Sequence, residues 1–202
     1  MIKAVIFDMG GVLIRTVDHT PRLSICDRYG ISRKDLEGEL FFSRSTEDAE
    51  KGLKTDQEHY LTAMANLGIP AEEEKTFTDL FWGGDRMDYD LLDKIADYRK
   101  TMKTGLLSNA MKGTRKSIEE RFGSIAYAFD YVIFSAEIGM RKPNPEIYHH
   151  ILELVDAKPE EAIFVDDLLD NVEGANRVGI HGVHFKNPDQ AIAEVEALIA
   201  AG

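Results

Sequence analysis

The apolar and polar positions of this chain follow two different patterns, one typical of buried strands and one typical of helices. The stretch from Ile2 to Phe7 is short, mostly apolar and rich in β-branched residues, which predicts a buried strand. From Thr20 to about Lys100, apolar residues recur at helical intervals, and we predict no strand there. At Thr55, capping-box spacing precedes one such helical run, which predicts a helix start.

After Lys100 the pattern predicts strands and helices in alternation. The predicted strands are 104–108, 131–135, 162–165 and 181–185, and the predicted helices are 114–122, 145–155, 171–178 and 188–200. Such alternation is typical of a parallel, doubly wound sheet. The sequence therefore predicts an α/β fold with a core of residues 1–15 and 91–202 and an all-helical insert at 16–90.

The composition narrows the possible functions. The chain has 202 residues, with 36 acidic against 24 basic side chains and a formal net charge of −12. This balance argues against nucleic acid and anionic membrane surfaces as partners. With no signal-peptide pattern and no run near the roughly 18 apolar residues of a membrane span, we expect a cytoplasmic protein. The single cysteine, Cys26, is expected to be a buried small hydrophobic residue.

Acidic residues stand at the ends of two predicted strands. Asp8 follows the first strand, and Asp166 and Asp167 close the strand at 162–165, with Asp170 just beyond. If both strands are central, these carboxylates converge on one crevice, where hard oxygen ligands suit Mg²⁺. Asp8 could also act as a base or nucleophile. The plainer alternative is that these acids cap turns and helix N-termini.

Three further polar residues occupy comparable positions. Ser108 and Asn109 end the strand at 104–108, where a hydroxyl and an amide could bind phosphoryl oxygens or cap a turn. Lys142 lies in a proline-rich turn before a helix, where it could neutralise an anionic substrate as a compact charge. A surface lysine without such a role is the commoner case.

Taken jointly and in chain order, the segments that contain Asp8, Ser108-Asn109, Lys142 and Asp166-Asp167 resemble the four motifs of the haloacid dehalogenase-like (HAD) hydrolase superfamily. The resemblance covers essentially the whole predicted core and implies a Rossmann-like hydrolase core. The insert resembles the helical cap of subfamily I. The resemblance to the family also implies that Asp8 attacks a phosphoryl group and forms an aspartyl-phosphate that water hydrolyses.

The resemblance also implies a role for each remaining motif position. The substrate-binding residues would be Ser108, Asn109, Lys142 and Gly11, and the Mg²⁺ ligands would be Asp8, the carbonyl of Gly10, Asp166 and Asp167. Of the acidic pair, Asp166 is expected to be the direct ligand and Asp167 a direct or water-mediated one. Asp170 is a more distant candidate.

The chain departs from the family pattern at Gly10. Most phosphatases of this family carry a second aspartate there, and general acid–base help of that kind contributes about 10²–10⁴-fold. Asp18 or His19 could substitute, the substrate could have a good leaving group as a sugar 1-phosphate does, or the protein could be slow. An Asp-x-Gly-Gly-Val motif resembles some sugar-phosphate phosphatases.

We therefore predict a Mg²⁺-dependent phosphatase acting on a small phosphorylated metabolite, a sugar phosphate by preference. The alternative is a catalytically weak binding or regulatory protein on the same fold. A 2-haloacid dehalogenase is disfavoured. The first motif of those enzymes reads Asp-x-Tyr and their fourth motif lacks the paired acids, whereas this chain has Gly10 and keeps Asp166 and Asp167. Monomer and homodimer both stay open.

Specificity is expected to reside in the cap. The residues that could reach a ligand are Arg44, His59, Trp82 and Arg86, although each is also explained as cap core or solvated surface. Gly83 and Gly84 could form a hinge or a turn. A catalytic role for His149 or His150, in the middle of a predicted helix, is disfavoured.

Overall fold

The first strand of the chain lies in the middle of its main sheet. The computed structural model describes residues 1–202, which form seven strands: β1 (Ala4–Phe7), β2 (Ile14–Thr16), β3 (Asp85–Met87), β4 (Lys103–Ser108), β5 (Tyr131–Phe134), β6 (Ala162–Asp166) and β7 (His181–His184). Five of them form one sheet in the order β5-β4-β1-β6-β7, and every neighbouring pair is parallel. The predicted parallel sheet is confirmed.

Helices cover both faces of this sheet. They are α1 (Thr20–Tyr29), α2 (Arg33–Phe41), α3 (Arg44–Glu50), α4 (Asp56–Asn66), α5 (Glu74–Trp82), α6 (Tyr89–Tyr98), α7 (Thr114–Phe122), α8 (Ser135–Ile138), α9 (Pro145–Val155), α10 (Leu169–Arg177) and α11 (Pro188–Ala201). None of them combines the length and the apolar character needed to cross a membrane.

The central strand is apolar throughout because it is buried on two sides. Val5 and Phe7 pack into a hydrophobic cluster with α6 and α11, whereas Ala4 and Ile6 pack into a second cluster with α9 and α10. Successive side chains of a strand point to opposite faces, so an uninterrupted apolar run satisfies both layers. The doubly wound arrangement therefore follows directly from the sequence of β1.

The helices α1 to α5 form a unit with its own small core. Nine buried residues make up this cluster, among them Phe77, Phe81 and Cys26. Cys26 is buried and unpaired, as predicted. The predicted helix start at Thr55 is confirmed as a capping box, in which Thr55 and Glu58 each bind the other's backbone N–H. We refer to α1–α5 as the cap.

A short two-stranded ribbon joins the cap to the core. Strands β2 and β3 pair antiparallel, with Arg15 opposite Arg86. The prediction of no strand between Thr20 and Lys100 is therefore wrong at Asp85–Met87. Each strand has only three residues and carries charged side chains, so neither shows the alternation by which strands are recognised. The limits 1–15, 16–90 and 91–202 stay a prediction.

Candidate active site

Three predicted site residues meet at one edge of the sheet because their strands are neighbours. Asp8 follows β1, while Ser108 ends β4 and Asp166 ends β6, and β1 lies between these two strands. The Asp8 backbone N–H donates to the carbonyl of Val165 at 2.8 Å, which continues the β1–β6 pairing. All three side chains are buried. These side chains thus lie at the carboxyl edge of the sheet, where α/β folds have their binding crevice.

Lys142 reaches this crevice from the loop between α8 and α9. Its side chain is fully buried, and its Nζ lies 2.9 Å from Asp8 Oδ1 and 2.6 Å from Asp166 Oδ2. A buried ammonium is tolerated here because two carboxylates surround it, and this pairing raises the pKa of Lys142 against the lowering effect of burial. Lys142 is therefore a fixed positive charge.

Asn109 holds the backbone on which this lysine is carried. Its Nδ2 donates to the carbonyl of Lys142 at 2.9 Å, and its Oδ1 accepts from the N–H of Lys142 at 2.8 Å. The side-chain amide therefore makes a reciprocal pair with the lysine loop. These contacts give Asn109 a positioning role, and a direct contact between Asn109 and substrate stays a prediction.

The two acids of the fourth motif have different surroundings. Asp166 Oδ1 accepts from the N–H of Leu168 at 2.8 Å, both oxygens lie 3.1 Å from Asn171 Nδ2, and Oδ2 also accepts from Lys142. Asp167 is half-buried and presents its carboxylate to the backbone of Gly11. Asp166 therefore has more hydrogen-bond partners in the protein than Asp167, and the order of the two acids as metal ligands stays a prediction.

Gly11 is required at its position for two reasons. Its φ of +74° lies in the left-handed region, where the backbone of residues other than glycine is strained. In addition, a Cβ at this position would overlap the carboxylate of Asp167. The glycine therefore lets the loop after β1 approach the acid pair, and its predicted contact with substrate stays a prediction.

The composition and spacing of the three acids suit a metal ion. Ligand oxygens of Asp8, Asp166 and Asp167 all lie within 4.8 Å of one another. Three carboxylates converging in a buried crevice are a hard oxygen donor set of the kind that Mg²⁺ prefers. Gly10 is exposed beside them, and its carbonyl as a ligand stays a prediction. Asp170 lies exposed on α10 and is not part of the cluster.

Burial and mutual repulsion disturb the titration of two of these acids. Burial, with Asp166 nearby, raises the pKa of Asp8 to about 7, although the charge of Lys142 acts in the opposite direction. Burial and Asp166 also raise the pKa of Asp167 to about 6. The single positive charge of Lys142 does not balance three ionised carboxylates. A divalent cation would offset the remaining negative charge.

We expect the affinity for Mg²⁺ to increase with pH between about 5 and 8. Both carboxyls have pKa values raised above those of the unfolded chain, so they hold protons below pH 6 that a cation must displace. Calorimetric titration in two buffers of different ionisation enthalpy should show proton release on binding at pH 6 and little at pH 8. An affinity that does not change over this range would contradict the assignment of these acids.

The cap residues predicted to reach a ligand are engaged elsewhere. Arg44 is exposed and pairs with acids of its own helix, and Arg86 donates to carbonyls at the end of the ribbon. His59 is buried in the cap, and the indole of Trp82 donates to Tyr60 Oη at 3.1 Å. The structure gives none of the four a contact with the acid cluster, and their role in specificity stays a prediction.

The proposed substitutes for a second aspartate also lie outside the cluster. Asp18 Oδ1 accepts from the N–H of Thr20 at 2.9 Å and so supports the start of α1, where His19 is the N-cap residue.

A Cβ at Gly84 would overlap the carbonyl of Asp18, so Gly84 is explained by close packing. His149 lines an open groove with Lys3, which precedes β1 and lies at the opposite edge of the sheet.

Sequence analysis missed three residues that support the site. Asn171 donates to Asp166. Its place in the first turn of α10 could have indicated this contact from the sequence, since residues in the first turn of a helix can face the end of the preceding strand. Arg141 contacts Glu50 of the cap at 2.8 Å. No sequence pattern relates these two residues, because they lie far apart in the chain and on different units.

The fold and the crevice together define a class of protein. A carboxylate after the central strand, a buried lysine and an acid pair, all at the carboxyl edge of a parallel sheet beneath a helical cap, are the arrangement of an α/β hydrolytic enzyme. The family model for haloacid dehalogenase-like hydrolases matches residues 2–179. The chain belongs to this family, and the resemblance identified from its four motifs is confirmed.

Three relatives illustrate the range of this family. The sesquiterpene phosphatase astK of Aspergillus oryzae is 32% identical over 98% of this chain and 96% of its own. A glyceraldehyde 3-phosphate phosphatase of Methanopyrus kandleri is 43% identical, but the match covers only 31% of this chain and 27% of that protein. An HAD family enzyme of Bacteroides thetaiotaomicron, solved in complex with magnesium and inorganic phosphate, is 25% identical with a TM-score of 0.74, over 92% of this chain and 95% of its own.

Proposed function

We propose that the protein is a Mg²⁺-dependent phosphatase acting on a small phosphorylated metabolite. The observation that carries this proposal is the buried Nζ of Lys142, which lies between Asp8 and Asp166 at 2.9 and 2.6 Å, with Asp167 beside them. A carboxylate nucleophile, a fixed cation and an acidic metal cluster are the parts that phosphoryl transfer needs. The magnesium and phosphate complex of the Bacteroides relative supports the same chemistry.

In this mechanism Asp8 is the nucleophile. One carboxylate oxygen attacks phosphorus, the bond from phosphorus to the leaving oxygen breaks, and the aspartyl-phosphate that results is hydrolysed by water to phosphate. Lys142 offsets charge on the phosphoryl oxygens, and the hydroxyl of Ser108 donates to one of them. Asp8, Asp166 and Asp167 would hold Mg²⁺, which supplies further positive charge where the phosphoryl oxygens carry negative charge.

The substrate class is the finer part of the proposal. The Asp-x-Gly-Gly-Val motif favours a sugar phosphate, and the partial match to glyceraldehyde 3-phosphate phosphatase is in keeping with that choice. A prenyl or other terpenoid phosphate is the second candidate, because the relative matched over nearly its whole length is a sesquiterpene phosphatase. Both classes are small phosphate monoesters or diphosphates that differ in the polarity of the leaving group.

Phosphate release from a panel of substrates tests the proposal. The panel should contain sugar phosphates, prenyl phosphates, nucleotides and acetyl phosphate, each assayed with Mg²⁺ and with EDTA. We expect turnover that requires Mg²⁺, and the preferred leaving group identifies the class. If no substrate is hydrolysed and no beryllofluoride adduct forms at Asp8, the alternative of a binding or regulatory protein replaces this proposal.

Replacing Gly10 by Asp is expected to increase turnover of substrates with poor leaving groups by about 10²-fold. A Cβ at this position would meet no atom within 4 Å apart from those of the two neighbouring residues, so the substitution is sterically tolerated at Cβ. The steady-state rates of an alkyl phosphate and of p-nitrophenyl phosphate should be compared, since the second needs little protonation. The matched control is Gly10→Asn, which has the same size but no acid. An equal gain in both variants would contradict an acid–base explanation.

A further inference from the structure

The cap contacts the core by side chains as well as through the ribbon. Three hydrogen-bonded contacts join helices or loops of the two units: Asp56 with the N–H of Gly113 at 3.1 Å, Arg121 Nη2 with the carbonyl of Trp82 at 2.7 Å, and Arg141 with Glu50. Only the last of these involves the loop that carries the buried lysine. The contact between Arg141 and Glu50 is therefore the one through which the cap can influence the position of Lys142.

The contact between Arg141 and Glu50 is close and largely shielded from water. Nη2 and Nε of Arg141 lie 2.8 and 2.9 Å from the same oxygen, Oε2 of Glu50. The two side chains are 20% and 13% exposed, so the pair is screened much less than a surface ion pair. Glu47, one turn earlier on α3, is more distant at 3.9 Å and 40% exposed.

The chain on the cap side of this pair fits tightly against the core. Gly52, two residues after Glu50, has a φ of +70°, and a Cβ there would lie 2.6 Å from the carbonyl of Ala136 on α8. That distance is shorter than real Cβ contacts allow, so this approach needs glycine. The end of α3 is thus seated closely on the core, and Glu50 has a defined position relative to Arg141.

On the core side, Arg141 and Lys142 are consecutive residues of one restrained loop. Asn109 binds both the N–H and the carbonyl of Lys142, which limits rotation of the backbone between the two side chains. Arg141 extends to the cap, and Lys142 extends to Asp8 and Asp166. If the end of α3 moves away from the core, Arg141 loses its partner and the lysine loop loses a restraint.

We propose that Glu50 and Arg141 form a latch that couples the seating of the cap to the placement of Lys142. Both are positioning residues, since they act on the phosphoryl group through the lysine and not by direct contact. This inference rests on the proposed function, because the lysine matters only if the site binds a phosphoryl group. Its structural half, that the pair holds the lysine loop, does not depend on turnover.

The test compares Glu50→Gln, Arg141→Met and the double variant with the protein itself, using Glu47→Gln as the matched control. Affinity for inorganic phosphate in the presence of Mg²⁺ reports on Lys142 without involving a leaving group. Amide hydrogen exchange at 51–53 and 141–144 reports on the cap and on the loop. We expect about tenfold weaker phosphate binding and faster exchange in both single variants, no further loss in the double variant, and no change in Glu47→Gln.

Two results would overturn the latch. One is unchanged exchange in the 141–144 loop of both single variants, and the other is additive effects of the two substitutions on phosphate affinity. If the protein itself binds no phosphate and turns over no substrate, the proposed function fails. The exchange comparison then decides by itself whether the pair restrains the loop.

Discussion

Asp8→Asn is expected to reduce phosphate release by about 10⁴–10⁶-fold, the range seen when a covalent nucleophile is removed. The amide has nearly the same shape as the carboxylate but cannot attack phosphorus. Lys142 keeps Asp166 as a partner at 2.6 Å, so the crevice retains one of its two ion pairs. Because burial raises the pKa of Asp8 to about 7, a neutral side chain is well accommodated there, and the melting temperature should be preserved.

Single-turnover and steady-state phosphate release with the best substrate measure this effect, and thermal unfolding checks the fold. The matched control is Asp170→Asn, the same chemical change at an exposed position near the site, which should leave the rate within twofold of the original. A rate for Asp8→Asn within tenfold of the unmodified protein would show that Asp8 is not the nucleophile.

Lys142→Met is expected to lower the free energy of unfolding by about 3–5 kcal/mol near pH 8, because two buried carboxylates lose their only cation. Without the ammonium, the influence that lowers the pKa of Asp8 is lost, so the pKa of Asp8 rises further and this buried group is neutral at low pH and costly when ionised. An acid whose folded pKa lies above its unfolded value stabilises the fold at low pH and ceases to do so as pH rises. The loss should therefore be small near pH 4 and increase toward pH 8.

Urea unfolding at several pH values, with and without Mg²⁺, measures this dependence. Added Mg²⁺ should restore part of the stability, since it offsets the same charge. Lys116→Met, at a side chain that is 82% exposed, is the control for loss of a lysine. Equal destabilisation by Lys142→Met at pH 4 and pH 8 would mean that lost packing, and not unpaired charge, explains the effect.

The part of the site that lies on the sheet could be predicted from the sequence. Asp8 and Asp166 each follow an apolar run, and the carboxyl ends of parallel strands share one edge. The buried strand at β1 and the helices 114–122 and 145–155 were likewise readable from periodicity and from glycine and proline positions. These features are local, or follow from a general property of parallel sheets.

The remainder depends on contacts between distant segments. Lys142 reaches the acids because a loop folds back over the sheet edge, and only the family resemblance indicated this. The sequence likewise gives no sign that Lys142 and Asn171 both bind the carboxylate of Asp166. The ribbon of β2 and β3 escaped notice because three-residue strands carry too little pattern to distinguish them from loops.

The central place of β1 has a consequence for synthesis of the chain. Its two partners are far away in sequence, since Ala4 pairs with Lys103 on one side and with Ala162 on the other. At about 5–20 residues per second, a ribosome completes β6 roughly 10–30 s after β1. The cap, whose contacts are local, can fold during that interval, whereas β1 has two unpaired edges until β4 is made and one unpaired edge until β6 is made. Newly made chains therefore pass through a period in which the apolar strand that leads to Asp8 has an unpaired edge, a feature that favours aggregation.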